Sequence, residues 1–273
     1  MKHELVFDFP LWVDDKEIDY SLCLSNDIDS LLSCIYLKRI KGYNISHFYD
    51  FSNAYEAYNS NNVIGVDIAL HKGKTWDNHV TMLNKTDYYN KDSANINNIL
   101  GINRENYFTK YCGSTLLEIL SYYDIDISNY SDEAKMILLA IDSTYKGYYS
   151  AYSNDNKANK YYLCEVLKFK DLYNILENHK ITDFLKIINK YGLSKNIYIE
   201  NGILETEIDL AALSKVFLFD IKLPEDKFIK AKDFSNLSKK LPAGDYSYYK
   251  TEDSNIFSMA ITGQNYVSYS KSN

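Results

Sequence analysis

The chain has 273 residues and a net charge of −7, with 46% apolar and 25% charged residues. That length supports one large or two modest domains with real cores, and the balance of residue types excludes a disordered polymer. The acidic net charge excludes a broad duplex-binding face. The opening "MKHELVFDFPLWVDDKE" carries acids inside its apolar run, so it reads as neither a signal peptide nor an anchor. No later stretch approaches the length a bilayer needs, and the expected location is the cytoplasm with no membrane partner. "YSLCLS" (20–25) predicts a short strand, followed by an acidic turn holding Asp27 and Asp29. Leu31, Leu32, Ile35 and Tyr36 then recur at helical spacing, and Gly42 is the expected stop.

"YNISHFYDF" and "NVIGVDIAL" predict two further strands, the second apolar enough for burial on both faces. Strand, helix, strand and strand with short turns predict an α/β fold, a mostly parallel sheet covered by helices. Helices are expected from about Ser114 to Tyr123 and from about Asp132 to Ile141, the second led by a capping Ser or Asp in "SDEAK". "YSNDNKANK" reads as a polar loop, and "EVLKFKDLYNILENHK" and "ITDFLKIINKYG" as two amphipathic helices. Beyond Lys195 the segments "IYIE", "VFLFDI", "YSYYK", "FSMAIT" and "YVSYS" read as strands, with one helical piece at "FSNLSKKL". The chain thus divides into an α/β domain over 1–165, a helical connector over 166–194, and a smaller α+β unit over 195–273 that would bind substrate or a partner. Four dispersed cysteines without C-x-x-C spacing exclude a disulfide framework or zinc ribbon. The 27 tyrosines read first as packing residues, with base stacking a lesser use.

Ligands of α/β sheets sit at the carboxyl ends of strands, and acids gather there. Asp27 and Asp29 follow the first strand, and Asp67 interrupts "VIGVDIAL". Asp77 and His79 occupy "WDNHV", and Asp142 follows "MILLAI". A buried carboxylate costs several kcal/mol unless compensated, so several at neighbouring tips point to a divalent cation. Hard oxygens with an imidazole suit manganese or magnesium. Each acid also has an ordinary reading: a helix cap or solvated turn for the Asp-x-Asp, a loop cap for Asp67, a helix-end acid for Asp142.

The order of these acids resembles the DHH family of phosphoesterases, over roughly residues 18 to 150. "SNDIDSLLS" matches the strand-end D-x-D and small residue that open a helix, and "GVDIAL" the lone Asp of the next strand. "DNH" (Asp77, Asn78, His79) stands where that family has Asp-His-His, and "LLAIDSTY" matches its last acid. The resemblance implies one metal held by Asp27 and Asp67, with Cys23 where many members have His. It implies a second held by Asp29, Asp67 and Asp142, with the amide of Asn78 in place of an imidazole. Asp67 would bridge the two ions, Asp77 would stand behind the ligands, and His79 would face the phosphate. The implied cofactor is one or two Mn²⁺ or Mg²⁺ ions.

The implied activity is hydrolysis of a phosphodiester or phosphoanhydride bond in a nucleotide or short single-stranded nucleic acid, with Asp67 and His79 at the chemistry. Arg104, Lys146, Lys72 and Lys74 are candidate phosphate contacts. The alternative is a degenerate member that binds a nucleotide or protein without hydrolysis, since Asn78 replaces a ligand and the tail has no glycine run. A haloacid-dehalogenase reading of "NDIDSLL" fails at Leu31, and "HKGKT" lacks the earlier glycine of a phosphate-binding loop.

Overall fold

A computed structural model of the protein describes residues 1–16, 18–60, 62–250 and 255–272. A short helix α1 (His3–Val6) and a tight helical turn over Leu11–Asp14 lead into β1 (Ser21–Leu24). Helix α2 (Ile28–Lys41) is capped by the Asp27 side chain and stops at Gly42, whose φ of 82° is a left-handed geometry that glycine adopts without strain. Strands β2 (Asn44–Tyr49), β3 (Asn53–Glu56), β4 (Val63–Val66), β5 (Thr75–Trp76) and β6 (Ser93–Ala94) follow.

A helical stretch comes next: α3 (Ile96–Ile99), α4 (Thr115–Tyr122), α5 (Asp132–Ala140), α6 (Thr144–Tyr148), α7 (Ser153–Lys160), α8 (Lys170–Asn178) and α9 (Ile181–Tyr191). The hairpin β7 (Ile197–Glu200) and β8 (Ile203–Thr206) stands apart as a two-stranded sheet. Helix α10 (Leu210–Phe217) then precedes β9 (Ile229–Lys240), β10 (Ile256–Gly263) and β11 (Tyr266–Ser272).

Nine strands form one sheet in the order β10-β11-β9-β3-β2-β1-β4-β5-β6. From β2 through β6 the neighbours are parallel, but β3, β9, β11 and β10 join antiparallel. The sheet is therefore mixed, which corrects the expectation of a mostly parallel one. The cause lies in β3, which turns back on β2 over a short connection and offers its free edge to the long β9.

The three C-terminal strands, expected in a smaller separate unit, are hydrogen-bonded into this same sheet. The sheet also curls. The edge of β10 reaches the segment after β4, where Met259 donates to the Ala69 carbonyl, His71 to Phe257 and Ile261 to Val80. Val80, Leu83, Ile102 and Tyr107 bury against Leu241, Ile256, Met259, Ile261 and Val267 at that seam.

The main core lies between the parallel strands and the helices. Leu22, Leu24, Ile64 and Val66 of the strands pack with Leu31 and Leu32 of α2, Leu116 and Leu120 of α4, and Ile137 and Leu138 of α5, all at most 1% exposed. Each such side chain contributes about 1.5–3 kcal/mol by leaving water. Behind β5, Trp76 is boxed by the rings of Phe9, Trp12, Tyr122 and Tyr123. Among the described residues, no helix is long and apolar enough to cross a membrane, and all four cysteines are free.

Several local expectations change under tertiary context. "FSNLSKKL" is not helical but lies within or beside β9, where pairing with β3 and β11 on both edges decides the backbone. "VFLFDI" begins inside α10, and "YSYYK" forms no strand. The polar "SNDNKANK" is α7, continued by a wide helical turn over Tyr161–Val166, and buries only Asn159.

Arg104, a candidate phosphate contact, is fully buried instead. Its guanidinium donates to the carbonyls of Gln264, Asp245 and Pro242 and to the Asn265 side chain at 2.8–3.0 Å. It clamps the C-terminal strands to the first half of the chain. Arg104→Ala is expected to leave several carbonyls unpaired and to cost roughly 2–4 kcal/mol, since hydrogen bonds to charged groups are among the stronger ones. Denaturant unfolding checks this, with early proteolysis within 240–265 as the accompanying sign.

Candidate metal centre

The parallel strands β1, β4 and β5 deliver their last residues to one edge, and each is followed by an aspartate: Asp27, Asp67 and Asp77. Ser30 fixes the junction. Its hydroxyl donates to the Val66 carbonyl at 2.7 Å and accepts the Ser25 amide at 2.8 Å, tying the ends of β1 and β4 to the first turn of α2. Gly65 keeps this corner tight, because a Cβ there would meet Leu70 and the Thr75 hydroxyl at 2.9 Å. Thr75 in turn holds the bend after β4 by donating to the Ile68 carbonyl at 2.7 Å.

Asp67 sits at that bend with φ of 59°, a left-handed conformation uncommon for a residue with a side chain. Such strain persists where the surroundings hold it, and it collects at functional sites. Its Oδ1 accepts the Thr115 hydroxyl at 2.8 Å. Asp29 accepts the backbone amides of Thr115 and Leu116 at 2.8 and 2.9 Å, so it caps the start of α4. Asp27 accepts the Ser30 amide at 3.0 Å. Both ordinary capping readings therefore hold, and each carboxylate keeps lone pairs for a further partner.

Asp77 is fully buried. One oxygen lies 2.6 Å from His79 Nδ1, and the other accepts the Asn95 amide at 2.9 Å. This pairing leaves Nε2 as the nitrogen of His79 open to a partner. Ligand atoms of Asp67, Asp77 and His79 all lie within 4.8 Å of one another. Among the described residues no other group of three metal-ligating side chains is that tight. Asp77, expected only behind the ligands, thus belongs to the closest set.

Asp27, Asp29 and Asp142 surround that set within reach of its charge. Burial first, then Asp67, pushes the Asp27 carboxyl up to about 7. Burial, then Asp67, Asp27 and Asp142, raises Asp29 well above the usual carboxylate range. Asp67 rises to about 6, chiefly through burial, with His79 partly offsetting Asp77 and Asp142. Asp142 is raised by burial while His79 works against the shift. Burial opposes the charged form of His79, but Asp77, with Asp67 and Asp142 beyond, overrides it and lifts the imidazole to about 10.

Asn78 does not aim its amide at a cation. Its Nδ2 donates to the Gly113 carbonyl at 2.5 Å and to Asp142 Oδ2 at 3.1 Å. Cys23 packs instead with Tyr49, Ile68 and Phe234 on the apolar side of β1, and burial lifts its thiol to about 12. It is not placed among the ligands, and with no cation beside it the thiol stays protonated. Lys74 lies over the Tyr20 ring before β5, at the opposite end of the strands, and Lys72 is exposed on the same loop. Lys146 lines a separate cavity beside Asp142.

Sequence reasoning passed over Asn95, Asn97 and Thr115. Asn95 caps α3 and holds both Asp77 and the His79 carbonyl, while Asn97 bridges the Asn78 carbonyl and Tyr111. The run "SANINNIL" carried a capping signal, but nothing local indicated that its amides face the acidic loop.

A cleft of about 350 Å³ opens on Asp67 and His79. Its other wall comes from β9, β10 and β11 and is rich in hydroxyls, with Ser238, Ser258, Ser268 and Ser270 among them. No known family model, curated protein or solved structure matches this chain.

The shifts fix a pH dependence. Asp27 and Asp67 bind protons more tightly folded than at their ordinary 3.8, so stability falls as pH rises from about 4 through their folded values of about 7 and 6. His79 contributes fully below its ordinary 6.5, and its contribution fades as pH climbs toward about 10. Both act in one direction. The metal-free protein is expected to melt several degrees lower at pH 8 than at pH 5, measured by thermal scans in EDTA, and Mn²⁺ is expected to shrink that fall.

Proposed function

We propose that the protein is a metal-dependent phosphoesterase acting on a phosphodiester or phosphoanhydride bond of a nucleotide or short single-stranded nucleic acid. The observation that carries this reading is the meeting of Asp67 and His79 at the mouth of one cleft, ringed by Asp27, Asp29 and Asp142. Buried like charges oppose each other, and the hard carboxylate oxygens of Asp67 with Asp27, Asp29 and Asp142 fit Mn²⁺ or Mg²⁺. When bound, such a cation supplies neutralising charge and polarises both a phosphoryl group and a water beside it.

The chain's own groups do the rest. Asp67, fixed by Thr115 and by its left-handed backbone, presents its carboxylate to the cleft. His79, oriented through Nδ1 by Asp77 and kept charged by it, offers Nε2 to a phosphate oxygen or to the departing group. The hydroxyls of β10 and β11 supply donors on the facing wall, where a substrate displaces water without meeting a fixed charge. The order of acids shared with DHH phosphoesterases supports the same reading.

One observation favours a second reading, a binding protein without hydrolysis. The amide of Asn78 already donates to Asp142, a role that a cation would otherwise fill.

Thermal unfolding with Mn²⁺, paired with hydrolysis of bis(p-nitrophenyl) phosphate, tests the proposal. At about 100-fold excess over Kd the metal is expected to raise Tm by about 5–10 °C. Asp67→Asn, which tolerates the left-handed backbone, is expected to abolish both the rise and the hydrolysis. An unchanged Tm with Mn²⁺ in both proteins would sink the metal reading. Hydrolysis that emerges only in Asn78→His would identify the natural chain as the binding form.

A further inference from the structure

A second cavity adjoins the acidic cluster on the far side of Asp142. It encloses about 380 Å³, within the range of small-molecule sites. Ser143, the residue after Asp142, and Cys112, the residue before Gly113, form its inner wall. Asn78 joins the same two places from the other side, through Asp142 and the Gly113 carbonyl. One residue layer therefore separates this cavity from the candidate metal centre.

The lining also includes Lys110 and Lys146 with Tyr107 and Phe108. Neither ammonium forms a salt bridge among the described residues, although the charge of Lys110 favours the ionised form of Asp142. Lys110 leans over the Tyr107 ring at 4.9 Å, and Lys146 over Tyr145 at 5.9 Å. The acid that lines the cavity, Asp155, instead accepts the Ser150 hydroxyl at 2.5 Å. Phe108 is 54% exposed, so its ring face is open to a ligand in the cavity. In a chain of net charge −7, two lysines without salt bridges lining one cavity beside an exposed aromatic ring form a local departure from the surrounding field.

We infer that this cavity is a subsite for a nucleoside monophosphate unit, its phosphate held between Lys110 and Lys146 and its base lying on Phe108. Lysine recognises phosphate as a point charge, and base–aromatic stacking tolerates any base. The inference rests beside the proposed function: a nucleotide bound here would lie one residue layer from the acidic cluster, on the far side of Asp142.

The test titrates the full chain in EDTA with adenosine 5′-monophosphate, adenosine and inorganic phosphate, by calorimetry. Adenosine 5′-monophosphate is expected to bind at least tenfold more tightly than either fragment. The double variant Lys110→Ala with Lys146→Ala is expected to lose at least tenfold, and Lys110→Arg with Lys146→Arg to keep most of the affinity. Phe108→Ala is expected to weaken the nucleotide while leaving inorganic phosphate unchanged. Equal nucleotide affinity in the wild type and the double alanine variant, or no binding by the wild type, overturns the subsite. The Mn²⁺-dependent rise in Tm, followed in the same proteins, separates the two proposals. If that rise persists without lysine-dependent nucleotide binding, only the subsite fails; lysine-dependent binding without any rise leaves the subsite standing and removes the metal reading.

Discussion

The structure turns on a concentration of like charge that an apolar core would not tolerate unaided. Asp29, Asp67 and Asp77 are each buried, and Asp27 and Asp142 lie beside them. Each is held by a hydrogen bond from the scaffold: α4 amides for Asp29, the Thr115 hydroxyl for Asp67, the Asn95 amide for Asp77, the Ser30 amide for Asp27 and the Asn78 amide for Asp142. The scaffold thus brings carboxylates together against their repulsion, with His79 the main charge-balancing group and Lys110 acting on Asp142. Such an arrangement costs stability wherever the acids are ionised, and proteins keep such costs mainly where chemistry requires them.

The rest of the architecture can be understood as support for that cluster. Ser30, Gly65 and Thr75 stiffen the corner from which Asp67 projects. Asp29 joins α2 to α4, so movement of either helix would disturb the cluster. The curl of the sheet carries β10 and β11 around to face Asp67 and His79, and Arg104 locks that return from behind. Both walls of the cleft therefore belong to one hydrogen-bonded sheet.

Much of the site was legible because its residues carry chemistry that is conspicuous in a line of text. Acids within or just beyond apolar strands and helices marked Asp27, Asp67 and Asp142, and "WDNHV" marked Asp77 with His79, since a charge at a strand end needs a reason. Cys23 was misplaced because strand alternation decides which face a side chain takes, and β1 turns that residue toward Tyr49 and Phe234. Arg104 was misplaced because a lone arginine in a polar stretch gives no sign that distant carbonyls at 242, 245 and 264 will surround it.

By itself the sequence determined the local elements with strong periodicity or caps: α2 between Asp27 and Gly42, α4, α5, α8, α9, and the apolar strands β1 and β4. It also determined which residue types would meet at strand ends. Only the tertiary structure decided that "FSNLSKKL" is extended, that β9 to β11 complete the main sheet, and that Asp77 with His79 forms the tightest set with Asp67. The physical reason is range. Caps and hydrophobic periodicity act within a few residues, whereas β3 pairs with a strand that starts at residue 229, and Asp67 meets Asp77 and His79 only because β4 and β5 end side by side in the sheet.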